Sequence, residues 1–238
     1  MNSTPPLSIV IPAFNEEALL GQTIDALQEA LSEVGIVGAE VIVSNDGSTD
    51  RTAEVAESKG ASVVTTENRQ IAATRNAGAA VASSERLLFL DADTILPADT
   101  LRAAIKAMDE GAIGCGVTVE FDKVPNIFIR MMSSVILTIV RWTGCAAGCC
   151  IFTTAKGFAA AGGFPEEYYA SEELWFCRAL RREGRFVQLK HTVKTSARKM
   201  DYHSTLKIFW MMVKLTVKGP RALRDRKDLE LWYDGQRG

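Results

Sequence analysis

A mostly parallel α/β sheet flanked by helices is the architecture this sequence predicts, and three observations predict it. The first hundred of the 238 residues alternate β-type and helical runs four times, the pattern of strands joined by right-handed helical crossovers. The runs 41–43 and 87–90 are short and continuously apolar, as strands buried on both faces are. Both runs then give way to acids, at Asp46 and at Asp91 and Asp93, at the carboxyl ends of strands where open α/β sheets place their ligands.

Residues 7–11 form the first β-type run, which Pro12 ends; Ala13, Phe14, Asn15, Glu16 and Glu17 then lead into an amphipathic helix over 18–34, with Leu19, Leu20, Ile24, Leu27 and Leu31 near helical spacing. Residues 40–44 supply the second strand. It enters Asn45-Asp46-Gly47-Ser48-Thr49-Asp50, a turn in which Ser48 or Thr49 is expected to cap a helix over 51–59. A third strand over 61–65 precedes a helix over 71–82, rich in small residues and suited to close packing on a sheet; 87–90 is the fourth strand. After a helix over 101–108, residues 115–121 alternate like a strand exposed on one face. The interrupted apolar stretch 124–142 is too short and too charged to span a bilayer; a core-packing or groove-lining helix is favoured over a membrane-surface one. A basic helix over 174–185, a strand near 186–189 and the segment 195–199 follow. In 202–218, Lys207, Lys214 and Lys218 recur on one helical side and Leu206, Phe209, Trp210, Val213 and Val217 cover much of the other. Such a basic amphipathic extension suits an anionic membrane surface, and equally the core or a second subunit.

Hydrophobic residues make up 47% and charged residues 24% of the chain, ordinary for a globular protein. The net charge of −2 hides an asymmetry: residues 1–177 hold 11 Lys or Arg against 23 Asp or Glu, and residues 178–238 hold 16 against 6. The basic tail points to an anionic partner or to mutual neutralisation of the two halves; no nucleic acid is expected. Five cysteines in irregular spacing indicate neither a disulfide framework nor a zinc knuckle. Nothing before the first strand reads as a signal peptide, so a cytoplasmic location is expected, with the tail as a candidate contact to the inner face of the membrane. Neither G-x-G-x-x-G nor G-x-x-x-x-G-K-[ST] occurs, which disfavours a dinucleotide oxidoreductase and a P-loop NTPase.

Asp91 and Asp93 lie one residue apart, and paired carboxylates repel unless a positive charge sits between them. Hard oxygen ligands favour Mg²⁺ or Mn²⁺ holding a phosphate. The structural alternative is a strand end capped by Asp, with a turn closed by Pro97.

Several motifs then coincide. Ser8-Ile9-Val10-Ile11-Pro12-Ala13-Phe14-Asn15-Glu16-Glu17, Asn45-Asp46-Gly47-Ser48-Thr49-Asp50, Ala73-Thr74-Arg75-Asn76-Ala77-Gly78 and Phe89-Leu90-Asp91-Ala92-Asp93-Thr94 resemble, in order and spacing, the motifs of family 2 glycosyltransferases of the GT-A fold. Gly162-Gly163-Phe164-Pro165-Glu166 and Ser171-Glu172-Glu173-Leu174 are similar to the family's Gly-Gly-Phe-Asp-Glu segment and following acidic pair, except that Glu173 stands where Asp is usual. The resemblance covers about residues 7–185. It implies a GT-A domain over 1–200, with a nucleotide-binding half (1–100) and an acceptor half (101–200), and a helical extension over 201–238.

It further implies a nucleoside-diphosphate sugar donor, UDP favoured over GDP or dTDP, and a hydroxyl acceptor, lipid-linked or soluble. Nucleotide contacts fall to Pro12, Ala13, Phe14, Glu16, Asp46, Ala92 and either Arg69 or Arg75, and Mn²⁺ or Mg²⁺ to Asp91 and Asp93. Arg198 and Lys199 are candidates to offset the diphosphate; His191 and His203 are minor candidates for a metal. Glu173, or failing that Glu172, is the general base, and inversion at the anomeric carbon follows. Two rivals stand beside this: a nucleotide-sugar-binding module without turnover, and a haloacid-dehalogenase-like phosphatase in which Asp91 is the nucleophile.

Overall fold

The computed structural model describes residues 6–122, 148–198 and 223–224. Eight strands form one sheet in the order β3-β2-β1-β4-β7-β6-β8-β5. They are β1 (Ser8–Ala13), β2 (Glu40–Asp46), β3 (Ser62–Thr66), β4 (Arg86–Leu90), β5 (Thr94–Ile95), β6 (Gly114–Phe121), β7 (Cys150–Thr154) and β8 (Phe186–Thr195). The helices are α1 (Leu20–Val34), α2 (Thr52–Ser58), α3 (Ile71–Val81), α4 (Ala98–Asp109), α5 (Ala155–Ala161) and α6 (Glu172–Glu183). Strands β1 to β4 pair in parallel, as do β6 and β8; β7 runs antiparallel to both β4 and β6, and β5 antiparallel to β8.

The continuous apolar strands are explained by two cores, one on each face. Ile9, Ile11, Leu88 and Leu90 face α1 and α4, while Val10, Leu87 and Phe89 face the other way, toward Phe164, Phe176 and Leu180. On that second face Phe164 and Phe176 lie 4.2 Å apart and Phe164 meets Phe89 edge-on at 4.8 Å. This aromatic cluster fixes α6 against β4.

Helix α3 sits especially close to the sheet. A Cβ added at Gly78 would lie 2.4 Å from Val10 Cγ1 and 2.4 Å from Ser44 Oγ, so only a residue without a side chain allows the approach. Gly78→Ala is therefore expected to destabilise the fold by about 1–3 kcal/mol through overpacking. Urea unfolding measures this, and an unchanged midpoint would mean that α3 can move away freely.

Four expectations change. Pro12 does not end β1: the pairing with β4 stops at Val10, whereas that with β2 continues through Ala13, so a residue lacking N–H is tolerated where only one ladder remains. Ser48 and Thr49 do not cap α2. Ser48 Oγ accepts from Asn15 N at 2.9 Å and Thr49 N donates to Asn15 Oδ1 at 2.8 Å, leaving Asp50 Oδ1 to accept from Thr52 N at 3.0 Å. Strand β6 is buried on both faces from Gly114 to Val117 and alternates only beyond, because α4 covers the face of Cys115, whose Sγ donates to Ala104 O, and Leu180 and Phe186 close on the face of Gly114. The last strand, expected near 186–189, continues to Thr195. Strands β5 and β7 and helix α5 were not foreseen.

The four described cysteines, Cys115, Cys149, Cys150 and Cys177, are buried thiols, in line with small core side chains. No helix among the described residues is long and apolar enough to cross a membrane. The stretches 124–142 and 202–218, and with them Lys199 and His203, lie outside the described residues.

Candidate active site

The carboxyl ends of β1, β2 and β4 open toward the same side, and loops stitch them together. Asn15 bridges the β1 and β2 ends through Ser48 and Thr49. Asp46, at the end of β2, accepts from Thr66 Oγ1 and Arg69 N on one oxygen, and from Gln70 N and Thr74 Oγ1 on the other, at 2.9–3.1 Å. Its four acceptor positions are thus engaged in shaping the β3–α3 turn. That turn holds Arg69 at φ 50°, with its guanidinium 4.2 Å from the Phe14 ring centroid and Nη2 donating to Gly47 O at 3.1 Å. Pro12, Ala13 and Ala92 are buried beside these loops, and Ala92 O accepts from Thr23 Oγ1 at 2.8 Å.

Arg75 is the centre of the site. Its side chain, 2% exposed, reaches from α3 to Asp91 Oδ1 through Nη2 at 2.8 Å and to Glu172 Oε1 through Nη1. The same Nη2 also donates to Gly148 O at 2.9 Å. Burial disfavours the guanidinium's charge, but Asp91, Glu172 and Glu173 outweigh it and hold the proton more firmly than usual. Of the two arginines offered as nucleotide contacts, Arg75 is therefore a buried link between acids.

Strand β7 aligns these groups. Asp91 N donates to Cys149 O at 2.9 Å, prolonging the β4–β7 pairing by one residue, which sets Gly148 beside Asp91. A Cβ on Gly148 would lie 3.1 Å from Glu173 Cδ, so the glycine backbone forms one wall of the Glu173 side chain. Gly148 and Gln70 are site residues that no sequence signal announced.

The acidic pair opens α6, where Ser171 at φ 60° turns the chain into the helix. Asn15, Arg69 and Ser171 are the three non-glycine residues with positive φ among the described residues, and all three stand around this crevice, as backbone strain at functional sites does. Glu172 is buried at 3% exposure, whereas Glu173 keeps partial exposure. Burial pushes both carboxyls up. For Glu172 the charge of Arg75 is the main opposing influence. For Glu173 the negative charge of Glu172 adds to the rise, against Arg75, and the carboxyl is pushed up to about 8.

Asp93 lies at 9% exposure by the end of β8, where its Oδ1 accepts from Thr195 Oγ1 at 3.3 Å and its carbonyl from Ser196 N at 3.2 Å. Asp91 is a quarter exposed, and the described contact to Arg75 uses Oδ1. No cluster of three or more His, Cys, Asp or Glu able to hold a metal occurs among the described residues. Two hard carboxylates completed by phosphate oxygens still suit Mg²⁺ or Mn²⁺, which commonly take one or two protein carboxylates. His191 sits inside β8, apart from any such cluster. Arg198 pairs with Glu16, joining the segment after β8 to the loop after β1.

Residues 8–183 match the model of the family described as "Glycosyl transferase family 2". The chain belongs to that family. Among curated relatives it is 36% identical over 116 residues to a validoxylamine A glucosyltransferase of Streptomyces hygroscopicus subsp. jinggangensis, covering 43% of this chain and 25% of that one. It is 38% identical over 106 residues to a 4,4'-diaponeurosporenoate glycosyltransferase of Staphylococcus aureus, covering 42% of this chain and 27% of that one. The match thus spans about a quarter of these relatives' length.

Among solved structures, S. aureus TarS 1-349 in complex with UDP superposes with a TM-score of 0.63 at 21% identity, covering 80% of this chain and 60% of that one. Mannosyltransferase PcManGT from Pyrobaculum calidifontis in complex with GDP-Man and Mn²⁺ gives 0.63 at 19%, covering 81% and 57%. The fold is the GT-A type that the motifs led one to expect. Membership leaves the haloacid-dehalogenase-like reading without support.

Proposed function

We propose that this family 2 member is an inverting glycosyltransferase that moves a sugar from a nucleoside diphosphate to a hydroxyl acceptor. The observation that carries this is the Arg75 link, which brings Asp91 of the Asp-x-Asp segment and the Glu172–Glu173 pair within reach of one guanidinium. A leaving diphosphate and an attacking hydroxyl need opposite services a few ångströms apart, and here the groups for both adjoin.

Glu172 is occupied by Arg75 and buried. Glu173, partly exposed and with raised proton affinity, is the base. It takes the acceptor's proton as the acceptor oxygen forms its bond to the anomeric carbon; the bond from that carbon to the diphosphate oxygen breaks, and the electron pair leaves with the diphosphate. Attack opposite the leaving group inverts the centre. Asp91 and Asp93 would hold Mn²⁺ or Mg²⁺, which when bound supplies Lewis-acid charge to the departing phosphates. Phe14, Arg69 and the turn that Asp46 shapes line the nucleotide side, together with Pro12, Ala13, Glu16 and Ala92. Arg198 stands at the diphosphate side, held by Glu16.

UDP is the first donor nucleotide to try and GDP the second, since the similar structures hold UDP and GDP-Man. The apolar stretches 124–142 and 202–218 suit a lipid-linked hydroxyl at the inner face of the membrane, with 201–238 as an extension to the 1–200 domain. Calorimetric titration of UDP, GDP and dTDP with and without Mn²⁺ tests the donor side. Affinity for one nucleotide is expected to depend on Mn²⁺ and to lose that dependence in Asp93→Asn; no nucleotide binding under any condition would sink the proposal. Binding without turnover would favour the non-catalytic module.

A further inference from the structure

The loop that feeds the acidic pair is held from two sides. On the donor side Gln70, itself anchored by Asp46 at 3.1 Å, donates through Nε2 to the carbonyls of Glu166 and Tyr168. On the other side comes a short piece of the carboxyl-terminal region. Leu223 O accepts from Tyr169 N at 2.7 Å, and Arg224 Nη2 donates to the Tyr168 hydroxyl at 2.9 Å, with the guanidinium 4.8 Å from the centroid of that ring. Arg224 also lies 3.8 Å from Glu167, but both side chains are 55% exposed, so that ion pair adds little to stability. What Arg224 supplies is direction, through a charge-assisted hydrogen bond and a cation–π contact with the same ring.

Tyr168 passes this on. It is buried at 6% exposure and stacks on Trp175 with centroids 5.1 Å apart and planes 12° from parallel. Trp175 lies in the first turn of α6, two residues beyond Glu173.

We propose that Arg224 is a positioning residue: it clasps the 165–169 loop from outside and, through the Tyr168–Trp175 stack, holds the start of α6 so that Glu173 stays in register beside Arg75 and Gly148. Residues 223–224 then act on the reaction by ordering the base's helix. The catalytic half of this inference rests on the assignment of Glu173 above; the clasp itself does not.

The test compares the full-length protein with Arg224→Ala, Tyr168→Phe and the double variant, by hydrogen exchange and by turnover. Amides of residues 166–176 are expected to exchange about tenfold faster in Arg224→Ala, with the β1–β4 strands unchanged, as for a local opening. With UDP-N-acetylglucosamine and GDP-mannose as donor probes, water as the acceptor and released nucleoside diphosphate as readout, kcat for donor hydrolysis is expected to fall about tenfold while donor KM holds. Tyr168→Phe keeps the ring and loses only the hydroxyl; it should show the same kind of loss, and the double variant should be no worse than Arg224→Ala because the two share one contact. Unchanged exchange in Arg224→Ala, faster exchange with unchanged kcat, or losses that multiply in the double variant would each overturn the proposal. If the unmodified protein neither turns over these donors nor binds any nucleoside diphosphate, the functional reading fails, and the exchange measurement alone decides the clasp.

Discussion

Glu173→Gln is expected to remove sugar transfer while sparing nucleotide binding. The substitution keeps the side chain's size in the slot beside Gly148, where a Cβ would already come within 3.1 Å, and removes only the capacity to take a proton. Loss of a positioned base is worth about 10²–10⁴-fold in rate, so kcat should fall by that much with the nucleoside diphosphate affinity unchanged. Full activity would transfer the role to Glu172. The pH dependence follows the same group. Burial and Glu172 push the Glu173 carboxyl up to about 8, so kcat/KM should rise with pH through that range as the base ionises. Stability runs the other way: a carboxyl whose folded value is raised above 4.5 favours folding fully below that value and loses this contribution as pH climbs through about 8. Thermal midpoints falling as activity rises across the same interval would tie both to one residue. Glu172→Gln separates the neighbours further, since deleting the like charge should move the acid limb to lower pH without abolishing turnover.

Much of this layout could be read in the sequence, for physical reasons that also mark where reading stops. The runs ending at Asp46 and Asp91 declared buried strands with polar ends, because a strand covered on both faces must be apolar throughout and can turn polar only on leaving the sheet. Glu172 and Glu173 declared themselves through motif and tandem charge. Arg75 did not declare its role. Its partners lie 16 and 97 residues away in sequence, and an arginine in a helix of small residues is as well explained by solvent or a phosphate. Strand β7 was hidden for a related reason. Its five residues Cys150–Thr154 carry no alternation, and its order, inserted antiparallel between β4 and β6, is set by long-range pairing alone. Yet β7 is what brings Gly148 to Asp91, Arg75 and Glu173. The chemistry-bearing acids were legible, and the element that aligns them was not.

Arg75→Met is expected to be the most destabilising single change in the site. Methionine fills a similar volume but leaves Asp91 and Glu172 without the cation that both touch. Breaking a buried pair by removing one partner costs about 3–5 kcal/mol, because the remaining charge stays desolvated. The cost has a definite pH signature. In the variant the carboxyls of Glu172 and Glu173, already raised by burial, lose the cation that opposed the rise, so their folded values climb further above 4.5. Such groups favour folding at low pH and oppose it once they must ionise, so the deficit relative to the unmodified protein should be small near about pH 5 and largest near about pH 8. Urea unfolding at those two pH values measures it. A deficit independent of pH would assign Arg75 to packing against Phe164, whose ring centroid lies 5.2 Å from the guanidinium, and would remove the electrostatic link between the donor side and the base. Arg75→Lys sharpens the distinction. One ammonium cannot span Asp91, Glu172 and Gly148 O as the forked guanidinium does, so it should recover part of the stability at high pH while leaving transfer impaired.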